Sequence, residues 1–134
     1  MTFTPSLFLR RVLLLDAVAT FATGLLLLGG MNLLQSWLNL PALLTTYAGA
    51  FCVVWAVLVA FAFTRKQLTR GFVLAIVIGN ALWALGSLAL LVSGYITPTV
   101  LGYAFVIAQA IVVGVFAELQ YVGLNRSATQ NARA

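Results

Sequence analysis

Histidine is absent from the chain, cysteine occurs once, at Cys52, and the only carboxylic side chains are Asp16 and Glu118. Each scarcity removes a class of chemistry. Without histidine there is no imidazole ligand for haem or for an ordinary zinc site. One cysteine cannot form a disulfide or a thiolate cluster within the chain. Two isolated acids do not make a carboxylate pair on one face. No Ser–His–Asp set or glycine-rich phosphate loop is present either. The expectation is therefore a non-enzyme with no catalytic residues, no metal site and no cofactor.

Charge of either sign is also rare. Charged residues make up 7% of the 134 positions and hydrophobic ones 63%, with a mean hydropathy of +1.12. A soluble domain carries roughly 25% charged residues. What fills the chain instead is four apolar runs, at about 12–30, 42–63, 72–93 and 99–122. Each is long enough to cross a hydrocarbon layer of about 30 Å as a helix. The runs are apolar on every face, which argues against a β-barrel with its alternating strands. The fold expected is all-α: a single membrane domain over residues 1–134, a four-helix bundle made of two tandem hairpins. Its principal partner is the lipid bilayer.

The few charges have a strict order. Arg10 and Arg11 precede the first run. Arg65, Lys66 and Arg70 separate the second from the third. Arg126 and Arg133 follow the fourth. The other two loops carry no charge. The positive-inside rule then places both termini and the middle loop in the cytoplasm. Anionic headgroups account for the net charge of +5 without a nucleic-acid partner. The basic N-terminus and apolar core also fit the pattern of a signal peptide. The length of that core, and an internal counterpart to it, favour a retained span.

That counterpart is NALWALGSLALLVSG (80–94), which aligns with DAVATFATGLLLLGG (16–30). Asp16 falls on Asn80, Thr23 on Ser87 and Gly30 on Gly94. After loops of unequal length, Pro41 corresponds to Pro98. Two hairpins of like orientation would be related by an axis along the membrane normal. Thr20 and Thr23 share the helical face of Asp16, and Ser87 shares that of Asn80. With Gln109, near mid-membrane in the fourth span, these residues form a candidate polar site: Asp16, Thr20, Thr23, Asn80, Ser87 and Gln109. An intramembrane carboxylate raises the hypothesis of a proton- or cation-responsive site. The structural alternative is that Asp16 bonds to Asn80 and closes the bundle, or reaches a nearby arginine. Gln109 would need a partner such as Asn80 or a backbone carbonyl. Candidate ion pairs at the cytoplasmic interface involve Arg10, Arg11, Arg65, Glu118 and Arg126.

The loop GGMNLLQSWLNLP (29–41) places Asn32, Gln35, Ser36 and Asn39 at helical spacing, with Trp37 among the leucines. It predicts a short amphipathic helix in the outer interface, stopped by Pro41. Small residues recur every four positions at Ala48, Cys52, Ala56 and Ala60, at Ala75 and Gly79, and at Ala110 and Gly114. Such spacing allows close helix packing, within the chain, in a homo-oligomer or against another membrane protein.

The segments RRVLLLDA (10–17), NALWALGSLALL (80–91), PTVLGYAFVIAQA (98–110) and AELQYVGL (117–124) carry a resemblance over the whole chain. The chain resembles a group of small four-span bacterial integral membrane proteins of uncharacterised role. The resemblance implies a bacterial inner membrane and no particular activity. Small multidrug transporters share four spans and an acid in the first. The seven-to-zero charge bias disfavours their dual-topology arrangement, and their aromatic-rich acidic motif is missing. Three functions are weighed. The first is a non-enzymatic accessory or scaffold protein. The second is a small transporter or channel using Asp16. The third is a membrane sensor or lipid-binding protein.

Overall fold

A computed structural model describes residues 2–133, and it is all-α apart from one two-residue ribbon. Four long helices dominate: α1 (Leu7–Gly29), α3 (Ala42–Thr64), α4 (Arg70–Ser93) and α5 (Val100–Arg133). All four are long and apolar enough to cross a membrane. Between α1 and α3 lies α2 (Met31–Leu33), continued by a π-helical turn at Leu34–Leu38. The ribbon pairs β1 (Thr2–Phe3) antiparallel with β2 (Leu68–Thr69).

Local chemistry sets three of the helix ends. The Ser6 hydroxyl accepts from the Leu9 N–H at 3.2 Å, and Thr69 accepts from Phe72 N–H at 3.1 Å. Both are side-chain N-caps. Helix α1 therefore begins before Arg10 and Arg11, five residues earlier than the apolar run alone indicates. Helix α4 stops at Gly94, whose φ of +82° few other residues would adopt. Helix α5 runs eleven residues past the apolar segment that ends at 122. The N-terminal strand end supports this extension. Ser6 N–H donates to Ser127 Oγ at 2.8 Å, and Thr4 exchanges hydrogen bonds with Asn131 at 3.1 and 3.0 Å.

The helices pair as consecutive hairpins, α1 with α3 and α4 with α5, and α1 against α5 joins the two pairs. Backbones of α3 and α4 make little contact. Glycine brings α1 and α3 together: a Cβ at Gly24 would lie 2.8 Å from Val53, and one at Gly49 would lie 2.8 Å from Leu28. The basic end of the bundle is a dry core of Leu9, Leu13, Val59, Val73, Ile76 and Leu124, each at most 1% exposed. At the opposite end the inter-helix segment folds over the bundle as a cap. Leu34 packs on Leu27 and Cys52, and Leu40 on Leu91, Ile96 and Val106. Asn32, Gln35 and Ser36 stay exposed as expected of an amphipathic segment, but so do Leu33 and Trp37, so the apolar face is buried only in part. Asn39, at a left-handed φ of 52°, ties the cap down by donating to the Thr97 carbonyl at 2.7 Å. Thr99 Oγ1 adds a bond to the Trp37 carbonyl at 2.6 Å.

Candidate functional site: a polar clasp beneath two lateral chambers

Asp16 lies in the middle turns of α1, thirteen residues before Gly29 and so about 20 Å along the helix from its far end. It is fully buried. Its Oδ1 accepts from Thr20 Oγ1 at 2.8 Å. Its Oδ2 accepts from Asn80 Nδ2 at 2.9 Å and from Gln120 Nε2 at 2.6 Å. Asn80 Nδ2 also donates to Gln120 Oε1 at 2.9 Å, and Asn80 Oδ1 accepts from Trp55 Nε1 at 3.0 Å. Five side chains from α1, α3, α4 and α5 thus form one closed network. Every long helix contributes at least one member. We refer to it as the clasp.

A polar hydrogen bond between membrane helices contributes on average about 0.6 kcal/mol and at most about 1.7. The four bonds of the clasp that cross between helices are thus worth roughly 2–3 kcal/mol together. Their larger effect is on geometry. Any slide of one helix past another would leave amide groups unpaired in hydrocarbon, at about 1–3 kcal/mol each. No buried side-chain nitrogen or oxygen among the described residues lacks a partner.

The structure divides the candidate polar residues. Asp16, Thr20 and Asn80 meet in the clasp. Thr23 and Ser87 instead donate to carbonyls of their own helices, Ala19 at 2.8 Å and Trp83 at 2.7 Å. Gln109 is not joined to Asn80. Its Oε1 accepts from Trp83 Nε1 at 2.9 Å, and its Nε2 donates to the Val106 carbonyl at 2.9 Å. Two clasp members were not among the candidates, Gln120 and Trp55. Gln120 follows Gln109 by three helical turns, a spacing visible in the sequence. Trp55 carries no signal in the sequence, because an intramembrane tryptophan reads as apolar until its N–H is seen to need an acceptor.

Among the described residues, other contacts take the place of the expected ion pairs. Arg10 sits over the Phe63 ring at 5.4 Å and donates to the Arg65 carbonyl at 3.2 Å. Arg65 lies over Phe61 at 5.3 Å and Arg126 over Phe8 at 4.7 Å. Arg11 and Glu118 are exposed. Cation–π contacts suit this level of the bundle, where aromatic rings line the helix ends and acids are scarce.

Between the clasp and the cap the bundle is hollow. A chamber of about 280 Å³ lies directly above the clasp, lined by Thr20, Trp55, Asn80 and residues of α5. Its rim includes the exposed Ala108 and Val112. A second chamber, of about 770 Å³, lies between α3 and α4. Its mouth is formed by the exposed residues Tyr47, Ala50 and Val54 on one side and Leu82 and Gly86 on the other. Thr23, Phe51, Trp83, Phe105 and Gln109 line both chambers and mark the waist between them.

Aromatic rings hold α3 and α4 apart here. Phe51 stacks on Trp83 with ring centroids 5.2 Å apart and on Trp55 at 5.8 Å. Trp55 fills the space over Gly79, where any Cβ would collide with its ring. Asp16 lines neither chamber. No Lys, Arg, Asp or Glu among the described residues does so either. Nor do three His, Cys, Asp or Glu side chains converge anywhere among them.

The chain matches no protein-family model, no curated protein and no solved structure.

Proposed function

We propose that this protein is a non-enzymatic membrane protein that holds an apolar molecule taken up sideways from the lipid phase. The observation that carries this reading is the second chamber, open between α3 and α4 and lined by leucine, alanine and aromatic side chains. Its volume lies in the range of about 300–1,000 Å³ usual for ligand sites. The cap covers it from one aqueous face. The clasp and the leucine core beneath it separate it from the other. The membrane interior is the side left open.

Among the three functions weighed above, this favours the lipid-binding one. A carrier using Asp16 would need that carboxyl exposed to its cargo, whereas Asp16 lies below the chamber floor with both oxygens engaged. We place the protein in a bacterial inner membrane with both termini cytoplasmic. The distribution of basic residues supports that orientation. We also read α1–α3 and α4–α5 as a tandem repeat, which the direct bond between Asp16 and Asn80 supports.

Native mass spectrometry of the protein released from a mild detergent tests the reading. A Cβ at Gly86 meets nothing within 4 Å, so Gly86→Leu should fold and fill the mouth. The wild type should retain one lipid-sized adduct that Gly86→Leu loses. Equal retention by both would count against the chamber as the site.

A further inference from the structure

The chamber walls also constrain the head of the molecule they hold, on the condition that the reading above is right. Three features bear on this. First, no charged side chain among the described residues lines either chamber. A phosphate or carboxylate placed there would be an uncompensated charge in hydrocarbon. Second, Gln109 lies at the waist, nine residues into α5. That is about 14 Å from the helix end, near the middle of a layer of about 30 Å. A phospholipid headgroup stays at the interface and does not reach it. Third, Gln109 is held in place with spare capacity. Its Oε1 is fixed by the Trp83 indole, and its Nε2 gives one hydrogen to Val106. A glutamine amide has two such hydrogens, so one remains to donate. Thr23 and Ser87 donate inward to their own helices, which leaves their oxygens as acceptors on the chamber wall.

We propose that the ligand is a neutral lipid bearing one uncharged oxygen function, a hydroxyl or carbonyl, held at Gln109 Nε2. A carbonyl accepts the free N–H. A hydroxyl accepts it and donates in turn to Thr23 or Ser87. The apolar remainder lies along Phe51 and Phe105 and leaves through the mouth between α3 and α4.

The test uses the Trp37→Phe protein in vesicles of phosphatidylcholine and phosphatidylglycerol. Trp55 and Trp83 are then the only indoles. Four probes brominated at mid-chain are titrated: an octadecanol, the octadecanoate methyl ester, the octadecane, and the octadecanoate salt at alkaline pH. The alcohol and ester should quench at about three- to tenfold lower membrane mole fraction than the alkane, the factor of one neutral hydrogen bond. The carboxylate should be the weakest. Gln109→Leu should bring alcohol and ester to the level of the alkane and leave the alkane unchanged. If that variant fails to fold by circular dichroism, the order of probes on the parent protein decides alone. Alcohol and alkane quenching alike would overturn the polar recognition and leave the chamber reading standing. Quenching by every probe that is unchanged in Gly86→Leu would overturn the chamber reading itself.

Discussion

Replacing Asp16 by leucine removes the one group that three donors share. Thr20 can turn its hydroxyl to a carbonyl of its own helix, as threonines in helices commonly do. Asn80 Nδ2 keeps Gln120 Oε1 and loses one of its two bonds. Gln120 Nε2 has no other acceptor among its bonds and is left unpaired in a fully buried position. That orphan costs about 1–3 kcal/mol. The lost Asn80 bond adds about 0.6 kcal/mol. The expected destabilisation is therefore roughly 2–4 kcal/mol, before any strain from seating the bulkier leucine. Asp16→Asn keeps an oxygen for Asn80 and Gln120 and an N–H that Thr20 can accept. It should cost no more than about 1 kcal/mol. The assay is unfolding in lipid–detergent mixed micelles of rising dodecyl sulfate fraction, followed by tryptophan fluorescence. Trp55 belongs to the network and reports its loss directly. A leucine variant within about 0.5 kcal/mol of wild type would refute the view that the clasp holds the bundle.

Three further outcomes follow from the packing. Gly79→Ala should destabilise by about 1–3 kcal/mol because its methyl meets the Trp55 ring, while Gly86→Ala should change stability by less than about 1 kcal/mol; the same unfolding assay measures both. Asn39→Ala places a Cβ residue without a compensating side-chain bond in the left-handed region and frees the Thr97 carbonyl. Hydrogen exchange in residues 31–40 should rise, with about 1–2 kcal/mol lost from the cap. In a Cys52→Ala background, the proposed orientation predicts that Ser36→Cys reacts with an impermeant thiol reagent added to whole cells, and Lys66→Cys only after the membrane is permeabilised. Reaction of Lys66→Cys in intact cells would reverse the orientation.

The four helices were readable because each apolar run is of membrane length and bounded by glycine, proline or basic residues. The meeting of Asp16 with Asn80 was readable too, from their matching places in the two halves of the chain. Their other partners were not. Gln120 lies close to the basic end of its span, where a polar residue is cheap to place, so its burial depends on α1 packing against α5. The small residues were legible as a class but not in register. Stripes beginning at Ala48 and Ala75 were visible. Tight packing of α1 on α3, however, occurs at Gly24 and Gly49, and Gly79 receives a tryptophan rather than a helix backbone. The chambers left no trace in the sequence. A cavity is a difference between the volume enclosed and the volume filled, and it depends on how stacked rings of α3 and α4 hold the helices apart. Arg10, Arg65 and Arg126, expected to seek carboxylates, rest on phenylalanines, since Glu118 alone cannot serve them all.

The proposed lipid-holding role requires that the hollow between clasp and cap belong to the lipid phase and not to water. Quenching of Trp55 and Trp83 in the Trp37→Phe protein measures this most directly. Phosphatidylcholine brominated at mid-chain is compared with acrylamide added to the aqueous phase. Strong quenching by the brominated lipid is expected, reduced in Gly86→Leu, with little by acrylamide from either side of the vesicle. Efficient acrylamide quenching with a weak effect of the brominated lipid would contradict it, and would mark the hollow as a water-filled passage.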